Sequence, residues 1–130
     1  MDVGFTRAGF KVLWAAEKKQ AACDTYNHNA EVAVCRQLDL RTVDFDELRR
    51  ELPGPLDCLF GGTPCQGFSR ARKMLLDDPR NELVNVFMDA VDKLRPRSFL
   101  MENVKNLGTK ALFKPILDKL IACANSLGYA

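Results

Sequence analysis

The sequence predicts an α/β fold in which a mostly parallel sheet is covered by helices on both faces. Two observations predict it. Short apolar runs alternate along the chain with segments of helical spacing. Several of the apolar runs also end in an acid or run into a glycine-rich turn. The length of 130 residues suits one domain of ordinary size.

The first half of the chain predicts five elements in alternation. The segment at residues 44–52 has acids in its first turn and arginines near its end, as the helix dipole favours. The predicted elements are a helix-like opening segment, a strand at 11–17, a helix at 18–29, a short strand in 31–40 and a helix at 44–52.

The second half repeats the alternation around one long irregular segment. It predicts a strand at 56–60, a loop at 61–81, a helix at 82–94, a strand at 97–103 and a helix at 109–127. Gly128 is well placed to end the last helix. Because the chain opens without a strand and closes where another should begin, both ends are interpreted as cuts through a larger domain.

Composition excludes several classes of protein. A net charge of +2 neither demands nor excludes nucleic acid, so local clusters must decide. Five cysteines without a CxxC pair, and one histidine, predict no metal site and no disulfide framework, which favours a reducing compartment. No apolar run approaches the roughly 20 residues of a membrane span, so no membrane partner is expected.

Cys65 stands in the run GGTPCQGFSR, directly after an apolar strand. Pro64 fixes the backbone ahead of it, and the glycines allow close approach and unusual dihedral angles. The run therefore resembles a loop that presents a nucleophilic thiolate. A buried structural cysteine is the alternative, and residue type alone leaves both interpretations open.

Three further acids follow predicted strands, and in parallel sheets ligands bind beyond the carboxyl ends of the strands. Glu102 ends the apolar run FLMEN, so partial desolvation is expected to raise its pKa and favour acid catalysis. Glu17 and Asp39 follow the two early strands, where an acid commonly holds ribose hydroxyls. A solvated surface carboxylate is the alternative for each.

Basic residues follow the cysteine run directly. Arg70, Arg72 and Lys73, joined by Lys105 after Glu102, suit contacts with phosphate groups, and a solvated charge run is the alternative.

Together these motifs resemble the cytosine-5 DNA methyltransferase family. GGTPCQGFS is similar to its nucleophile motif, MENV to its Glu-Asn-Val motif, and the two stand in the family order, with Glu102 lying 37 residues after Cys65. The likeness extends through nearly the whole chain. It implies an incomplete Rossmann-like fold of the S-adenosylmethionine-dependent methyltransferases, with residues 1–130 as a partial catalytic domain that lacks a target-recognition domain.

The resemblance also implies a reaction on double-stranded DNA. A methyl group would pass from S-adenosylmethionine to C5 of a flipped cytosine through a covalent Cys65 adduct, with Glu102 bonded to N3 and S-adenosylhomocysteine as product. The roles implied for other residues fall into three groups: a base pocket (Pro64, Gln66, Asn103, Val104), a cofactor site (Glu17, Lys18, Asp39, Leu40, Leu83) and phosphate contacts (Ser69, Arg70, Arg72, Lys73).

Two departures from the family pattern qualify that expectation. Thr63 stands where proline is usual. The glycine-rich first strand and the later motifs are absent, so we expect little activity from this chain alone, and a companion chain or self-association to supply the central strand. A transfer-RNA methyltransferase and a non-catalytic binding remnant remain alternatives. The expected setting is a restriction-modification enzyme in the cytoplasm, near the nucleoid, or in a eukaryotic nucleus.

Overall fold

The computed structural model describes residues 1–63 and 82–130, which form two compact units, Met1–Leu52 and Pro53–Ala130. Their helices and strands alternate as the sequence predicts. In chain order these are α1 (Asp2–Arg7), β1 (Ala15–Glu17), α2 (Gln20–Asn29), β2 (Cys35–Gln37), α3 (Phe45–Glu51), β3 (Cys58–Gly62), α4 (Glu82–Leu94), β4 (Ser98–Glu102), α5 (Lys105–Thr109) and α6 (Lys114–Ser126).

The first unit is built on a βαβ crossover. β1 and β2 pair in parallel from Ala15↔Cys35 to Glu17↔Gln37, and α2 packs against both strands. Asn27 of α2 bonds both backbone groups of Cys35, accepting from its N–H at 2.9 Å and donating to its carbonyl at 2.9 Å. The buried Cys23 thiol donates to the same carbonyl at 3.1 Å. One face of α2 is therefore fastened to β2 by polar contacts.

α3 begins and ends as its composition predicts. The Asp44 carboxylate caps it by accepting from the Glu47 N–H at 2.9 Å, and Phe45 and Leu48 bury its apolar side. The two early strands are shorter than predicted. They pair over three residues each, Ala15–Glu17 and Cys35–Gln37, although the apolar residue directly before each strand is half-buried.

The second unit carries the larger core. β3 and β4 pair in parallel over five residues, from Cys58↔Ser98 to Gly62↔Glu102. α4, which runs from Glu82 to Leu94 as predicted, places its apolar stripe against one side of this pair. The core is shared among α4, α5, α6 and the segment before α6, and its buried members are Val84, Phe87, Met88, Val91, Leu107, Phe113 and Leu120.

The helix predicted over residues 109–127 is wrong near its start, at residues 110–113, and is confirmed from residue 114 to residue 126. The structure has α5, a 3₁₀ turn at Ala111–Phe113, and then α6. Pro115 lies in the first turn of α6, where its missing N–H costs nothing, but it could not continue a helix arriving from residue 109. Gly128, with φ of +90°, follows the end of α6 as expected.

Within residues 1–63 and 82–130 no helix is long and apolar enough to cross a membrane.

Candidate catalytic and cofactor site

The carboxyl ends of β3 and β4 lie side by side. The last pair in their register is Gly62↔Glu102, so the strand that leads towards Cys65 ends beside the strand that carries Glu102. The next residue on each strand is joined across the gap: the Asn103 side-chain amide donates to the Thr63 hydroxyl at 2.8 Å. The ends of β3 and β4 thus meet at one edge of the sheet, as predicted for the strands, while the position of the cysteine motif stays a prediction.

The two glycines before Thr63 belong to the strand and not to a loop, which corrects the predicted loop start at residue 61. Gly61 lies against the ring of Phe87, and a Cβ at this position would stand 3.3 Å from Phe87 Cε2. The absence of a side chain lets α4 approach β3 closely. Gly62 likewise leaves no side chain beside Glu102 on that strand.

The Glu102 side chain is exposed, so the partial desolvation expected from its apolar flanks is not found. Alternation along β4 explains the difference. Phe99 and Met101 pack against the core, while Ser98, Leu100 and Glu102 belong to the opposite, exposed set. An apolar run in sequence therefore does not bury the acid that ends it.

Asn103 and Val104, predicted for the base pocket, adjoin Glu102 and are half-buried. The Asn103 side-chain oxygen, Oδ1, accepts from the Val104 N–H at 2.8 Å, which fixes the chain direction between β4 and α5. A polar cleft follows immediately, lined by Lys105, Asn106, Thr109 and Lys110. Lys105, singled out from the sequence as a phosphate-binding candidate, thus opens onto a basic surface next to this strand end.

The cysteine motif itself lies outside the described residues. That applies to Pro64, Cys65, Gln66, Ser69, Arg70, Arg72 and Lys73, whose predicted roles stay predictions.

In the first unit the ends of β1 and β2 carry a charged cluster. Asp39 accepts from the Arg41 Nε at 3.0 Å and from its Nη2 at 2.5 Å, and Lys18 Nζ lies 2.9 Å from the same carboxylate. These hydrogen bonds, with Arg41 the larger cause and Lys18 the second, hold the pKa of the Asp39 carboxyl well below its usual range. Two predicted cofactor residues, Lys18 and Asp39, are therefore brought together.

The remaining cofactor candidates take different positions. Glu17 ends β1 half-buried, and its Oε1 accepts from the Lys19 N–H at 3.0 Å. Leu40 opens a 3₁₀ turn directly after Asp39. Leu83 is half-buried in the first turn of α4, in the second unit.

Sequence reasoning missed two residues of these clusters. Arg41 pairs with Asp39, and an arginine two residues after an aspartate that opens a turn is the signal that could have found it. In the sequence Thr63 is only a departure from the family motif, but in the structure its hydroxyl accepts a hydrogen bond from Asn103. Nothing in the local sequence links residues 40 positions apart, so only the register of β3 and β4 reveals that contact.

Comparison with known proteins agrees with this geometry. The family model for C-5 cytosine-specific DNA methylase matches residues 1–130. The chain therefore belongs to that family, and its fold is a partial Rossmann-like methyltransferase fold.

Two relatives illustrate the similarity. Type II methyltransferase M.AgeI of Thalassovita gelatinovora is 39% identical over 130 residues, covering 98% of this chain and 30% of the relative. Type II methyltransferase M1.HphI of Haemophilus parahaemolyticus is 42% identical over 112 residues, covering 83% of this chain and 30% of the relative. The chain thus spans about a third of the length of these relatives.

Solved structures give the same fold. A DNA modification methyltransferase encoded within an E. coli prophage matches with a TM-score of 0.80 and 32% identity, over 95% of this chain and 34% of that one. Spodoptera frugiperda DNMT2 matches with a TM-score of 0.64 and 24% identity, over 94% of this chain and 37% of that one.

Proposed function

We propose that this chain is part of the catalytic domain of a DNA (cytosine-5)-methyltransferase. A methyl group would pass from S-adenosylmethionine to C5 of a flipped cytosine while Cys65 is covalently attached to C6. The observation that carries the proposal is the Gly62↔Glu102 pair, which sets the strand leading to the cysteine motif beside the Glu-Asn-Val motif. Family membership and the order of the two motifs support it.

The chain's own residues divide the chemistry between them. The Cys65 thiolate donates an electron pair to C6, and Glu102 shares a proton with N3, so that the charge developing in the ring is neutralised. After methylation the C5 proton passes to water, the C5–C6 double bond re-forms, and the thiolate leaves. Glu102 then recovers its proton. Because Glu102 is exposed in the free chain, insertion of the base would itself desolvate the carboxyl.

The first unit fits the cofactor by the chemistry of its side chains. Bound S-adenosylmethionine would supply an electrophilic methyl group. The half-buried Glu17 carboxylate suits a ribose diol, and Asp39 with Leu40 offers a hydrogen-bond acceptor beside an apolar side chain for adenine. Arg41 and Lys18 would keep the Asp39 carboxylate ionised and oriented. For Leu83, which lies in the second unit, the cofactor contact is proposed from the family resemblance alone.

DNA would be held by charge. Ser69, Arg70, Arg72 and Lys73 would contact phosphates, with Lys105 and Lys110 extending the basic surface. A companion chain or a second copy would pair with an open strand edge, as at β1 or β3, because each of the four strands has one strand neighbour within residues 1–63 and 82–130. This chain alone would have little turnover, and the assembled enzyme would act in the cytoplasm in restriction-modification.

The test is covalent trapping on a duplex oligonucleotide containing 5-fluorocytosine, in the presence of S-adenosylmethionine. It is run with this chain alone and with a hybrid in which the chain replaces its matching segment of M.AgeI. We expect a denaturation-resistant complex from the hybrid and little from the chain alone. Cys65→Ser should abolish the complex, whereas Cys58→Ser, in the same strand-and-loop region, should leave it.

Four results would contradict the proposal or part of it. A folded hybrid that binds S-adenosylhomocysteine yet traps no DNA would exclude the covalent mechanism. Binding of DNA without trapping would favour a non-catalytic remnant, and trapping on transfer RNA instead of DNA would change the substrate. Robust methylation by the chain alone would overturn the expectation that it needs further parts.

A further inference from the structure

We infer that Thr63 is a positioning residue for the Glu-Asn-Val motif, and that its hydroxyl acts through the side chain of Asn103. The effect on catalysis rests on the proposed function, whereas the contact between Thr63 and Asn103 is observed in the second unit. Thr63 is buried, with 8% of its surface exposed, and no other polar residue is buried as fully in residues 1–63 and 82–130.

The contact continues the strand pairing by side chains. Backbone pairing of β3 and β4 stops at Gly62↔Glu102. One residue further, the Asn103 Nδ2 lies 2.8 Å from the Thr63 Oγ1, so the two strand ends stay joined where the ladder has ended. Because both side chains are short and Thr63 is β-branched, little rotational freedom remains in this bridge.

The Asn103 side chain bonds to Thr63 and also to the backbone of the next residue. Its Oδ1 accepts from the Val104 N–H at 2.8 Å, so the amide is held at both ends and its orientation is fixed. Val104 immediately precedes α5. The Thr63 hydroxyl therefore constrains the direction in which the chain leaves β4, and with it the backbone that carries Glu102.

The same hydroxyl lies close in sequence to the other motif, because only Pro64 separates Thr63 from Cys65. A single hydrogen bond thus joins Thr63, two residues before Cys65, to Asn103, which directly follows Glu102. Misplacement of a catalytic group by about 1 Å can cost on the order of 100-fold in rate, so loss of the bond should be visible in the chemical step and not in cofactor affinity.

The test compares Thr63→Val, which removes the hydroxyl and keeps the shape, with Thr63→Ser, which keeps the hydroxyl. Both are made in the full chain and in the hybrid described above. We expect T63V to slow covalent trapping on 5-fluorocytosine DNA about 10-fold, and T63S to restore most of the rate. The dissociation constant for S-adenosylhomocysteine should change by less than about twofold, because that site lies on other residues.

A second measurement needs no catalysis. In proton–nitrogen correlation NMR spectra of the native chain, the Asn103 side-chain amide protons should exchange with water about 10-fold more slowly than those of Asn85, which is exposed on α4. In T63V this protection should disappear, and in T63S it should remain.

The outcomes separate the inference from the proposed function. If the hybrid that carries the native sequence traps no DNA but the Asn103 protection depends on the Thr63 hydroxyl, the proposed function fails and the positioning contact stands. Unprotected Asn103 protons in the native chain overturn the inference, as does T63V trapping at the native rate. A parallel fall in trapping, cofactor affinity and melting temperature also overturns it, since that pattern marks a purely structural residue.

Discussion

The strand ends of the two units are held by opposite kinds of interaction. At the ends of β1 and β2, Asp39 is held by two exposed cations, Lys18 and Arg41. At the ends of β3 and β4, a neutral bond joins Thr63 to Asn103, and Thr63 is buried. Exposed ion pairs weaken with salt and with low pH, whereas a neutral buried bond responds to neither. The contacts at the predicted cofactor residues should therefore change with salt and pH, whereas the contact between the predicted catalytic motifs should not.

The largest expected effect is on the chemical side. Glu102→Gln should lower the rate of covalent trapping in the hybrid by at least about 100-fold, because the amide cannot share a proton with N3 of the base. Glu31→Gln, a change at an exposed glutamate of the first unit, is the matched control and should leave the rate unchanged. Equal rates for E102Q and the native hybrid would remove Glu102 from the mechanism.

The next effect tests how rigid the second unit is. Gly61→Ala places a Cβ 3.3 Å from Cε2 of the buried Phe87 ring, so the ring must shift within the core and the free energy of unfolding should fall by about 1–3 kcal/mol. Urea unfolding measures it.

Two further variants check the cause. Gly108→Ala, where no atom lies within 4 Å, should be neutral or slightly stabilising in α5. Adding Phe87→Leu to G61A should recover part of the loss. If G61A is as stable as native protein, α4 does not pack as tightly on β3 as the comparison requires.

A smaller effect tests the charged cluster. Arg41→Ala should raise the pKa of Asp39 towards its usual range, since Arg41 is the main cause of its depression. In native protein the ionised carboxylate stabilises the fold at every pH above about 4. That contribution is lost only as the pH falls further, towards the depressed pKa.

Carboxyl NMR titration reads the pKa of Asp39 directly. Arg36→Ala, which breaks a pair with Glu51 in the same unit, should not move it. An unchanged pKa in R41A would show that Lys18 alone controls the carboxylate.

The smallest effect concerns a thiol of the first unit. Burial, with a contribution from Cys23, raises the pKa of Cys35 to about 12 from an ordinary value near 9. At pH 8.5 iodoacetamide should therefore label Cys35 at least about 10-fold more slowly than the half-buried Cys58.

The direction of the Cys35 pKa shift also predicts how the stability of the fold changes with pH. Because the folded pKa is raised, the protonated thiol stabilises the fold below about pH 9, and this contribution declines between pH 9 and 12. Mass-spectrometric peptide mapping follows the labelling, with urea-unfolded chain as the control in which both thiols react alike. Equal labelling in the folded chain would contradict the burial of Cys35.

The sequence predicted the parts that depend on local pattern. α4 begins and ends at the predicted residues, and α3 lies within the helix predicted at 44–52. Prediction failed for one helix boundary and for the exposure of one side chain. Pro115 divides a helical run that otherwise looks continuous, and strand alternation exposes Glu102 in spite of its apolar neighbours. The Thr63–Asn103 contact could not be predicted, because it needs the register of two strands about 40 residues apart.

Asn27 has a consequence for how this protein behaves in a crowded solution. Its amide pairs with the N–H and carbonyl of Cys35 in the way that a neighbouring strand would. A strand arriving at that position from another molecule would find both backbone groups taken. The side chain therefore protects β2 against edge-to-edge aggregation at Cys35, without charge, proline or an additional strand.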